Sequence, residues 1–359
     1  MPVQTLSATD ALRRLDDFDT VIDARSEDEH ALDHVPGAVN WPTLNNAERV
    51  TIGTLYKQVN AFEAKKRGAA IAARNIAGHI EQHALDKPRD WKPLVYCWRG
   101  GNRSGALATI LGAIGFQVSL IEGGYKAWRH ALVADLPAQV ARLHFRVICG
   151  PTGSGKTRLL QHLEQQGAQV LDLEALACHR SSVLGHIPGV AQPSQKRFDS
   201  MVWEQLRHLE AGRPVFVESE SKKVGNLRVP DALIDAMRAS PCIDLQLPDE
   251  ERVALLLEDY DFFVKDPDFF CRRLEALTEL RGKAVVSEWI RQVRDGRTAD
   301  VVLDLLRQHY DPTYAASIER NFRQFGQARP CPVPDRSAEA FNKAAEDLLI
   351  IPTASGGGA

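Results

Sequence analysis

Cysteines and long apolar runs are scarce in this chain of 359 residues. The six cysteines are scattered without a C-x-x-C pair, which argues against a disulfide framework and against a structural zinc site. The most apolar long stretch, residues 106–121, is broken by glycines and a glutamine, and it is shorter than the roughly 20 residues that a membrane span needs. The first ten residues lack the basic and apolar regions of a signal peptide. We therefore expect a cytoplasmic protein with reduced thiols and no membrane partner.

Neither sign of charge dominates, since 44 Lys and Arg residues face 47 Asp and Glu residues. The net charge of −3 gives no global basic field that would attract nucleic acid. A local patch can still bind it. Residues 271–330 hold 11 basic against 8 acidic residues, and residues 65–67 form a second basic run. The named basic candidates are Arg272, Arg273, Arg281, Lys283, Arg291, Arg294 and Arg297. A solvated helix face is an equally good interpretation of them.

Short β-rich runs alternate with helical patterns along most of the chain, which predicts parallel α/β sheets. The length fits about two domains. We predict an N-terminal parallel-sheet domain over residues 1–138 and an α/β domain with a helical C-terminal part over residues 139–330. Residues 331–359 are expected to form a C-terminal segment whose Gly-rich end is disordered.

A phosphate loop is the most specific motif, because residues 150–157 match G-x-x-x-x-G-K-[ST] between a predicted strand and a predicted helix. Such glycines let backbone N–H groups face phosphate oxygens. The candidate phosphate-binding residues are Gly150, Gly153, Ser154, Gly155, Lys156 and Thr157. Glu218, which ends a predicted strand, and Asp172 are candidates to assist a metal or a diphosphate. The loop predicts a polyphosphate ligand, with Mg²⁺ as a candidate ion, and it does not specify a nucleotide.

A cysteine loop, Cys97-Trp98-Arg99-Gly100-Gly101-Asn102-Arg103-Ser104, lies between another predicted strand and helix. A thiol at this position faces backbone N–H groups and a helix N-terminus, and these favour the thiolate. We take Cys97, Arg99 and Arg103 as candidate catalytic residues, because we expect no packing role for the Gly-Gly pair or the two arginines. The other cysteines are expected to be structural, except that the role of Cys178 stays open.

Several strings in the first half resemble a rhodanese domain. They are Asp23-Ala24-Arg25-Ser26, residues 34–40 (HVPGAVN), the cysteine loop and Glu122-Gly123-Gly124-Tyr125-x-x-Trp128. The loop reads C-x₅-R, one residue longer than the commoner C-x₄-R pattern of sulfurtransferases, and it resembles the loop of rhodanese-like phosphatases. A longer loop is better suited to a tetrahedral, phosphate-like substrate than to a small persulfide.

A rhodanese-like domain fused to a phosphate-loop domain is similar to the tRNA 2-selenouridine synthase family. The resemblance covers about residues 5–330. Further matching strings are residues 171–177 (LDLEALA), His179-Arg180, residues 192–195 (QPSQ), residues 217–221 (VESES) and residues 309–314 (HYDPTY). One departure is Arg180-Ser181-Ser182, where the family pattern has Arg-Gly-Ser.

The resemblance implies a two-step modification of the wobble 2-thiouridine (U34) in tRNAs for Lys, Glu and Gln. Geranyl diphosphate first geranylates the sulfur, and selenium from selenophosphate then replaces it, which gives 2-selenouridine. The phosphate loop would hold the diphosphate, and Cys97 would carry or deliver selenium, covalently or not. The implied partners are the tRNA anticodon loop and a selenophosphate-supplying enzyme. The candidates for a geranyl slot, with plain core as the alternative, are Phe262, Phe263, Phe269 and Phe270.

Two other classes of function stay open from the residues. A rhodanese-like sulfurtransferase or phosphatase coupled to a P-loop NTPase would turn over nucleotide and act on thiosulfate or small phosphoesters without RNA. A non-catalytic module that senses polyphosphate would be indifferent to the Cys97→Ala substitution. The strings of the second half favour the tRNA-modifying enzyme over both.

Overall fold

The structure, a computed structural model, describes residues 3–180 and 189–350. The chain divides into two compact units, which are residues 1–139 with 193–204 and residues 140–192 with 205–359. The departure at Ser181-Ser182 and the Gly-rich end of the chain lie outside the described residues. No helix of the described part has both the length and the apolar character needed to cross a lipid bilayer.

The first unit is built on a five-stranded sheet with surrounding helices. Its strands are β1 Gln4–Leu6, β2 Thr20–Asp23, β3 Val39–Asn40, β4 Pro93–Tyr96 and β5 Ser119–Ile121. Its helices are α1 Ala8–Arg13, α2 Glu27–Leu32, α3 Asn46–Gln58, α4 Ala61–His83, α5 Asn102–Ile114 and α6 Gly124–Ala141, with a 3₁₀ turn at Leu15–Asp17. The spatial order is β1-β5-β4-β2-β3, and every pair is parallel.

The core of this unit explains why its strands read as apolar runs. Strand β4 is buried along its whole length, as strands covered on both faces are. Ile22 and Val95 of neighbouring strands pack with Leu107 and Leu111 of α5. Since the carboxyl ends of parallel strands meet at one edge, the residues after β2 and β4 come together there.

The second unit has another five-stranded parallel sheet, in the order β12-β11-β6-β8-β7, and an antiparallel pair β9-β10. Its strands are β6 His144–Cys149, β7 Gln169–Leu171, β8 Pro214–Glu218, β9 Lys223–Val224, β10 Leu227–Arg228, β11 Cys242–Gln246 and β12 Arg329–Pro332. The helices that follow α6 are α7 Lys156–Gln165, α8 Leu173–Ala177, α9 Gln195–His208, α10 Asp231–Ala239, α11 Asp249–Asp259, α12 Asp261–Lys265, α13 Pro267–Glu275, α14 Thr278–Arg281, α15 Lys283–Arg294, α16 Thr298–Leu305, α17 Asp311–Asn321 and α18 Ala338–Leu349. A π-helical turn covers Leu306–Tyr310, and a 3₁₀ turn covers Phe325–Gln327.

The predicted fold class is confirmed: both units are parallel-sheet α/β structures, and a helical region follows the phosphate-loop sheet. The region after residue 330 is structured differently from the expected separate segment. Strand β12 joins the second sheet, and Phe341, Ala345 and Leu348 of α18 belong to its core. Their spacing puts the three side chains on one face of the helix. The second α/β core therefore extends to residue 349.

Residues 193–204 belong to the first unit, although their sequence position follows the phosphate loop. The Trp203 ring packs edge-to-face on Trp128 at 5.8 Å between centroids, and its indole N–H donates to Asp135 at 2.9 Å. Arg129 also forms an ion pair with Asp199. The contacts that hold this segment are long-range, so sequence order gave no indication of them.

Candidate active site

The cysteine loop joins the end of β4 to the start of α5, as the sequence predicted. Cys97 directly follows the strand and is 3% exposed. The Ser104 hydroxyl donates to the Cys97 sulfur at 3.1 Å. The backbone N–H groups of Ser104 and Gly101 also point to the sulfur. The thiol therefore lies in a nest of donors at the N-terminus of α5, which is an anion-holding arrangement.

These contacts change the acidity of the thiol. Burial by itself raises the pKa of Cys97, but the hydrogen bonds from Ser104 and Gly101 and the charge of Arg103 outweigh it, so the pKa lies below its ordinary value. A lower pKa increases the fraction of thiolate near neutral pH, and the thiolate is the reactive form.

Arg103 and Arg99 have different surroundings. The Arg103 guanidinium pairs with Glu29 at 2.7 Å and is mostly buried, so its position is fixed. Glu29 also pairs with Arg49 at 3.0 Å. Arg99 is exposed, and its guanidinium makes no hydrogen bond or ion pair with the residues that the structure describes. Arg103 therefore acts on the thiol from a fixed position, whereas the Arg99 side chain is available to an incoming anion.

Gly100 of the Gly-Gly pair has a packing role, contrary to our expectation, whereas a Cβ on Gly101 would meet nothing within 4 Å. A Cβ atom on Gly124 would lie 2.3 Å from the Cys97 carbonyl oxygen, and one on Gly100 would lie 2.9 Å from the carbonyl oxygen of Ile121. The Tyr125 N–H donates to the same Cys97 carbonyl at 2.8 Å. The first turn of α6 thus binds the loop carbonyls, and only glycine permits so close an approach.

The substitution Gly124→Ala is expected to destabilise the cysteine loop. Its φ of +59° costs a side chain about 1 kcal/mol, and the clash with the Cys97 carbonyl adds about 1–3 kcal/mol. Gly37→Ala is the control, because its φ is +71° but nothing lies within 4 Å of the new Cβ. Urea denaturation of both variants measures the difference. Equal midpoints would contradict the tight packing at Gly124.

A buried polar network supports the loop from β2. Arg25 is 1% exposed, pairs with Asp23 at 2.6 Å and lies over the Tyr125 ring at 4.1 Å. The Tyr125 hydroxyl in turn donates to Asp33 at 2.6 Å. Burial raises the pKa of the Asp23 carboxyl, but its bonds from His30 and Arg25 lower it overall, so Asp23 stays ionised. The rhodanese-like strings around these residues therefore form the framework of the site.

Sequence reasoning missed Lys196 and Ser104. The Trp98 ring of the cysteine loop stacks on Tyr125 at 5.5 Å, and the Lys196 ammonium lies 6.0 Å from its centroid. Lys196 follows the QPSQ string, which the sequence analysis assigned to the second domain. The QPSQ string, which matches the family pattern, could have drawn attention to the neighbouring Lys196. That this segment belongs to the first unit depends on long-range packing, which the sequence does not show. The loop therefore combines a thiol, an aromatic face and a cation.

Alkylation of Cys97 by iodoacetamide is expected to rise with pH around a midpoint below that of an ordinary cysteine, since only the thiolate reacts. Ser104→Ala removes the side-chain hydrogen bond and is expected to move this midpoint to higher pH. Peptide mass mapping follows each cysteine separately. Cys331 is the internal control, because burial raises its pKa to about 11. A Cys97 midpoint at or above the ordinary value would contradict the argument.

The phosphate loop lies between β6 and α7, as predicted. The Lys156 ammonium donates to the Gly150 carbonyl at 2.8 Å, while the Gly150 N–H donates to the Tyr314 hydroxyl at 2.6 Å. A Cβ on Gly150 would lie 2.4 Å from the Ser154 oxygen, so Gly150 contributes by close packing. The Ser154 hydroxyl is fully buried and has no hydrogen-bond partner within the described ranges. A phosphate oxygen would satisfy it.

A buried arginine fixes the loop to the helical region. Arg252 of α11 is 4% exposed and donates to the Thr152 carbonyl at 2.8 and 3.1 Å. The same guanidinium pairs with Asp311 at 2.6 Å and with Asp249 at 3.0 Å. The HYDPTY string thus supplies Asp311 to this arginine and Tyr314 to Gly150, and this explains its association with the phosphate loop.

Three carboxylates lie beside the phosphate loop with ligand atoms within 4.8 Å of one another: Glu174, Glu218 and Glu220. The Thr157 hydroxyl donates to Glu174 at 3.5 Å, which connects the cluster to the loop. Glu218 is 1% exposed, and its Oε1 atom has no hydrogen-bond partner in the described part of the chain. Burial, reinforced by the charge of Glu174, raises the pKa of Glu218 well above its usual range, against the opposing effect of Lys156.

These oxygen donors fit a hard divalent cation such as Mg²⁺. Glu218 lies where the sequence predicted, while Glu174 and Glu220 were not singled out. Asp172 instead caps α8 through a bond from the Ala175 N–H at 2.8 Å, and its charge contributes to the raised pKa of Glu218. The signal for Glu220 was its position two residues after Glu218.

The two sequence halves match two described families. Residues 7–131 match the rhodanese-like domain, and residues 143–269 match the tRNA 2-selenouridine synthase AAA domain. The tRNA 2-selenouridine synthase of Nitrosomonas eutropha is 31% identical over an alignment of length 375, which covers 90% of this chain and 93% of that relative. The chain belongs to the tRNA 2-selenouridine synthase family.

Other members of the tRNA 2-selenouridine synthase family align over different lengths. The Nitrosomonas europaea relative is 38% identical over 248 residues, which cover 67% of this chain and 63% of that relative. The Cupriavidus necator relative is 32% identical over 333 residues, which cover 84% of this chain and 88% of that relative. The alignment with the Nitrosomonas europaea relative thus spans less than two thirds of its length.

Several of the basic residues that the sequence suggested for tRNA contact bind other side chains of the same chain. Arg291 pairs with Glu288 at 2.6 Å and with Asp295 at 2.8 Å. Arg281 donates to His309 at 2.9 Å, and Lys66 pairs with Glu63 at 2.5 Å. Acidic neighbours therefore offset the charges of Arg291 and Lys66, as on a solvated helix face, whereas Arg281 donates to an imidazole.

Proposed function

We propose that the chain converts the wobble 2-thiouridine (U34) of tRNAs for Lys, Glu and Gln to 2-selenouridine, through S-geranylation and then replacement of the geranylated sulfur by selenium. One observation carries the proposal: a chain of this family holds a thiol of lowered pKa in an anion-holding loop and also an intact phosphate loop. The two steps require these two capabilities, since one expels a diphosphate and the other uses a selenophosphate anion.

In the first step the sulfur of the base attacks C1 of the geranyl group. The bond from C1 to the diphosphate oxygen breaks, and the base loses its N3 proton. The base supplies the nucleophile, so the protein contributes position and charge. Lys156, the buried Ser154 hydroxyl and the backbone N–H groups of the loop would hold the diphosphate as its charge grows. A Mg²⁺ ion held by Glu174, Glu218 and Glu220 would supply additional positive charge to the leaving group.

In the second step selenium of selenophosphate attacks C2 of the base, the C2–S bond breaks, and geranylthiolate takes up a proton. Water then removes the phosphoryl group from selenium as phosphate. We assign to the loop donors, with Arg99 and Lys196, the binding of the selenophosphate anion. To Cys97 in its protonated form we assign the transfer of a proton to the geranylthiolate, because a thiol whose pKa is lowered toward neutral pH can both give and regain a proton there. A sulfur–selenium bond formed on Cys97 from selenophosphate would release phosphite, whereas release of phosphate together with that bond would need a two-electron acceptor.

The test is the mass of the modified nucleoside. Purified protein is incubated with a 2-thiouridine anticodon stem-loop, geranyl diphosphate, selenophosphate and Mg²⁺, and the RNA is digested and analysed by mass spectrometry. We expect S-geranyl-2-thiouridine when selenophosphate is omitted and 2-selenouridine when it is present. Omission of Mg²⁺ is expected to slow the first step.

The alternative function is assayed on the same preparation with thiosulfate, a small phosphoester and ATP. Unchanged nucleoside mass with turnover of any of these would replace our proposal by a sulfurtransferase or phosphatase coupled to an NTPase. A selenophosphate-supplying enzyme is proposed only as a source of the donor.

A further inference from the structure

An apolar pocket lies beside the phosphate loop within the second unit. Eleven residues line it, and none of them carries a charged side chain. One wall is Thr152 of the phosphate loop itself. The other walls come from α11 and the Tyr260 that follows it, from α12, α13 and α16, and from the π-helical turn, and include Leu256, Phe270, Val302 and Leu306. The pocket therefore adjoins the phosphate loop.

Two contacts fix the pocket against the loop. Gly153 has a φ of +77°, and a Cβ there would lie 2.9 Å from the Leu256 side chain, so this glycine lets α11 approach the loop. One turn earlier on α11, Arg252 holds the Thr152 carbonyl from the same helix. Because one helix contacts the loop and also forms a pocket wall, a ligand chain and its phosphates would be positioned together.

The chemistry of the lining identifies the class of ligand. A nucleobase would bury several polar atoms against mainly hydrocarbon and would lose hydrogen bonds to water. A hydrocarbon chain would instead gain from leaving water. Near the pocket wall, the Arg180 guanidinium stacks on the Tyr260 ring at 4.6 Å and adds a cation suited to phosphate.

We propose that this pocket binds the hydrocarbon chain of a prenyl diphosphate while the phosphate loop binds its diphosphate. The proposal rests on the proposed function, in which such a molecule is the alkyl donor. The proposal also separates the four phenylalanines that the sequence suggested for a geranyl slot. Phe263 and Phe270 line the pocket, whereas Phe262 and Phe269 only pack around the same cluster.

The test compares two valine substitutions in the full-length chain. Val302→Phe fills the pocket, whereas Val285→Phe adds the same volume to a partly buried position of the same cluster outside the lining. Binding of geranyl diphosphate and of inorganic diphosphate is measured by calorimetry with Mg²⁺. We expect wild type to bind geranyl diphosphate at least tenfold more tightly than diphosphate. Val302→Phe should lose this difference and keep its affinity for diphosphate, and Val285→Phe should keep both affinities.

Wild type also tests the pocket without any substitution. Dimethylallyl diphosphate, with half as many carbons, is expected to bind at least tenfold more weakly than geranyl diphosphate. Equal affinity for the two chains, or normal geranyl diphosphate binding by Val302→Phe, would overturn the pocket assignment.

The nucleoside assay separates this result from failure of the proposed function. Normal geranylation by Val302→Phe would reject only the pocket, whereas pocket-dependent binding without any geranylated nucleoside would reject only the function.

Discussion

Lys156→Ala is expected to leave the tRNA at 2-thiouridine, with geranyl transfer slowed on the order of 10²–10³-fold, the usual loss when one preorganised donor to a developing charge is removed. The Lys156 ammonium is held at the loop by the Gly150 carbonyl, 2.8 Å away, so its charge is in place before the reaction. Loss of this charge leaves the departing diphosphate with only the loop N–H groups and any bound cation.

The rate is measured from the mass of the nucleoside in single-turnover time courses with saturating geranyl diphosphate. Lys343→Ala is the matched control, because Lys343 is an exposed lysine of α18 in the same unit. A geranylation rate within a few-fold of wild type for Lys156→Ala would remove the phosphate loop from the first step. It would then favour a role for the loop in nucleotide binding.

Cys97→Ala is expected to stop the reaction after the first step, so that S-geranyl-2-thiouridine accumulates. Loss of a proton-transfer group typically slows a step by about 10²–10⁴-fold. The first step should continue at the wild-type rate, because the phosphate loop and the sulfur of the base carry it. Cys97 differs from an ordinary cysteine, because contacts from Ser104, Gly101 and Arg103 lower the pKa of its thiol despite burial.

The experiment adds selenophosphate to RNA that has already been geranylated and follows 2-selenouridine. Cys271→Ala is the control, since Cys271 is a buried cysteine of the helical cluster whose pKa burial raises. Selenium exchange by Cys97→Ala at the wild-type rate would exclude the thiol from the chemistry. A block of geranylation in the same variant would instead show that the two steps depend on one another.

The local motifs were predictable because their chemistry depends on residues close in sequence. The strand, loop and helix around residues 97–104 and around residues 150–157 follow from apolar runs, glycines and helix starts, and the structure has each of them. Glu218 was predictable for the same reason, since it directly follows the apolar run of residues 214–217. These features gave the parallel α/β fold and the two reactive loops.

The partners of these motifs depend on residues far apart in sequence. Glu29 pairs with Arg103, Tyr314 with Gly150, and Arg252 with Thr152. Each pair joins two elements that touch only when the sheet and its helices pack. A side chain has no local preference for such a partner, so composition and spacing could not select it.

The sequence by itself determined the family resemblance, the fold class and the two loops, because strand, turn and helix propensities act over a few neighbouring residues. Only the tertiary structure decided that residues 193–204 join the first unit and that β12 and α18 complete the second. It also decided that Glu174 and Glu220 join Glu218, and that an apolar pocket adjoins the phosphate loop. These arrangements follow from burial of apolar faces, which brings distant segments together whatever their order along the chain.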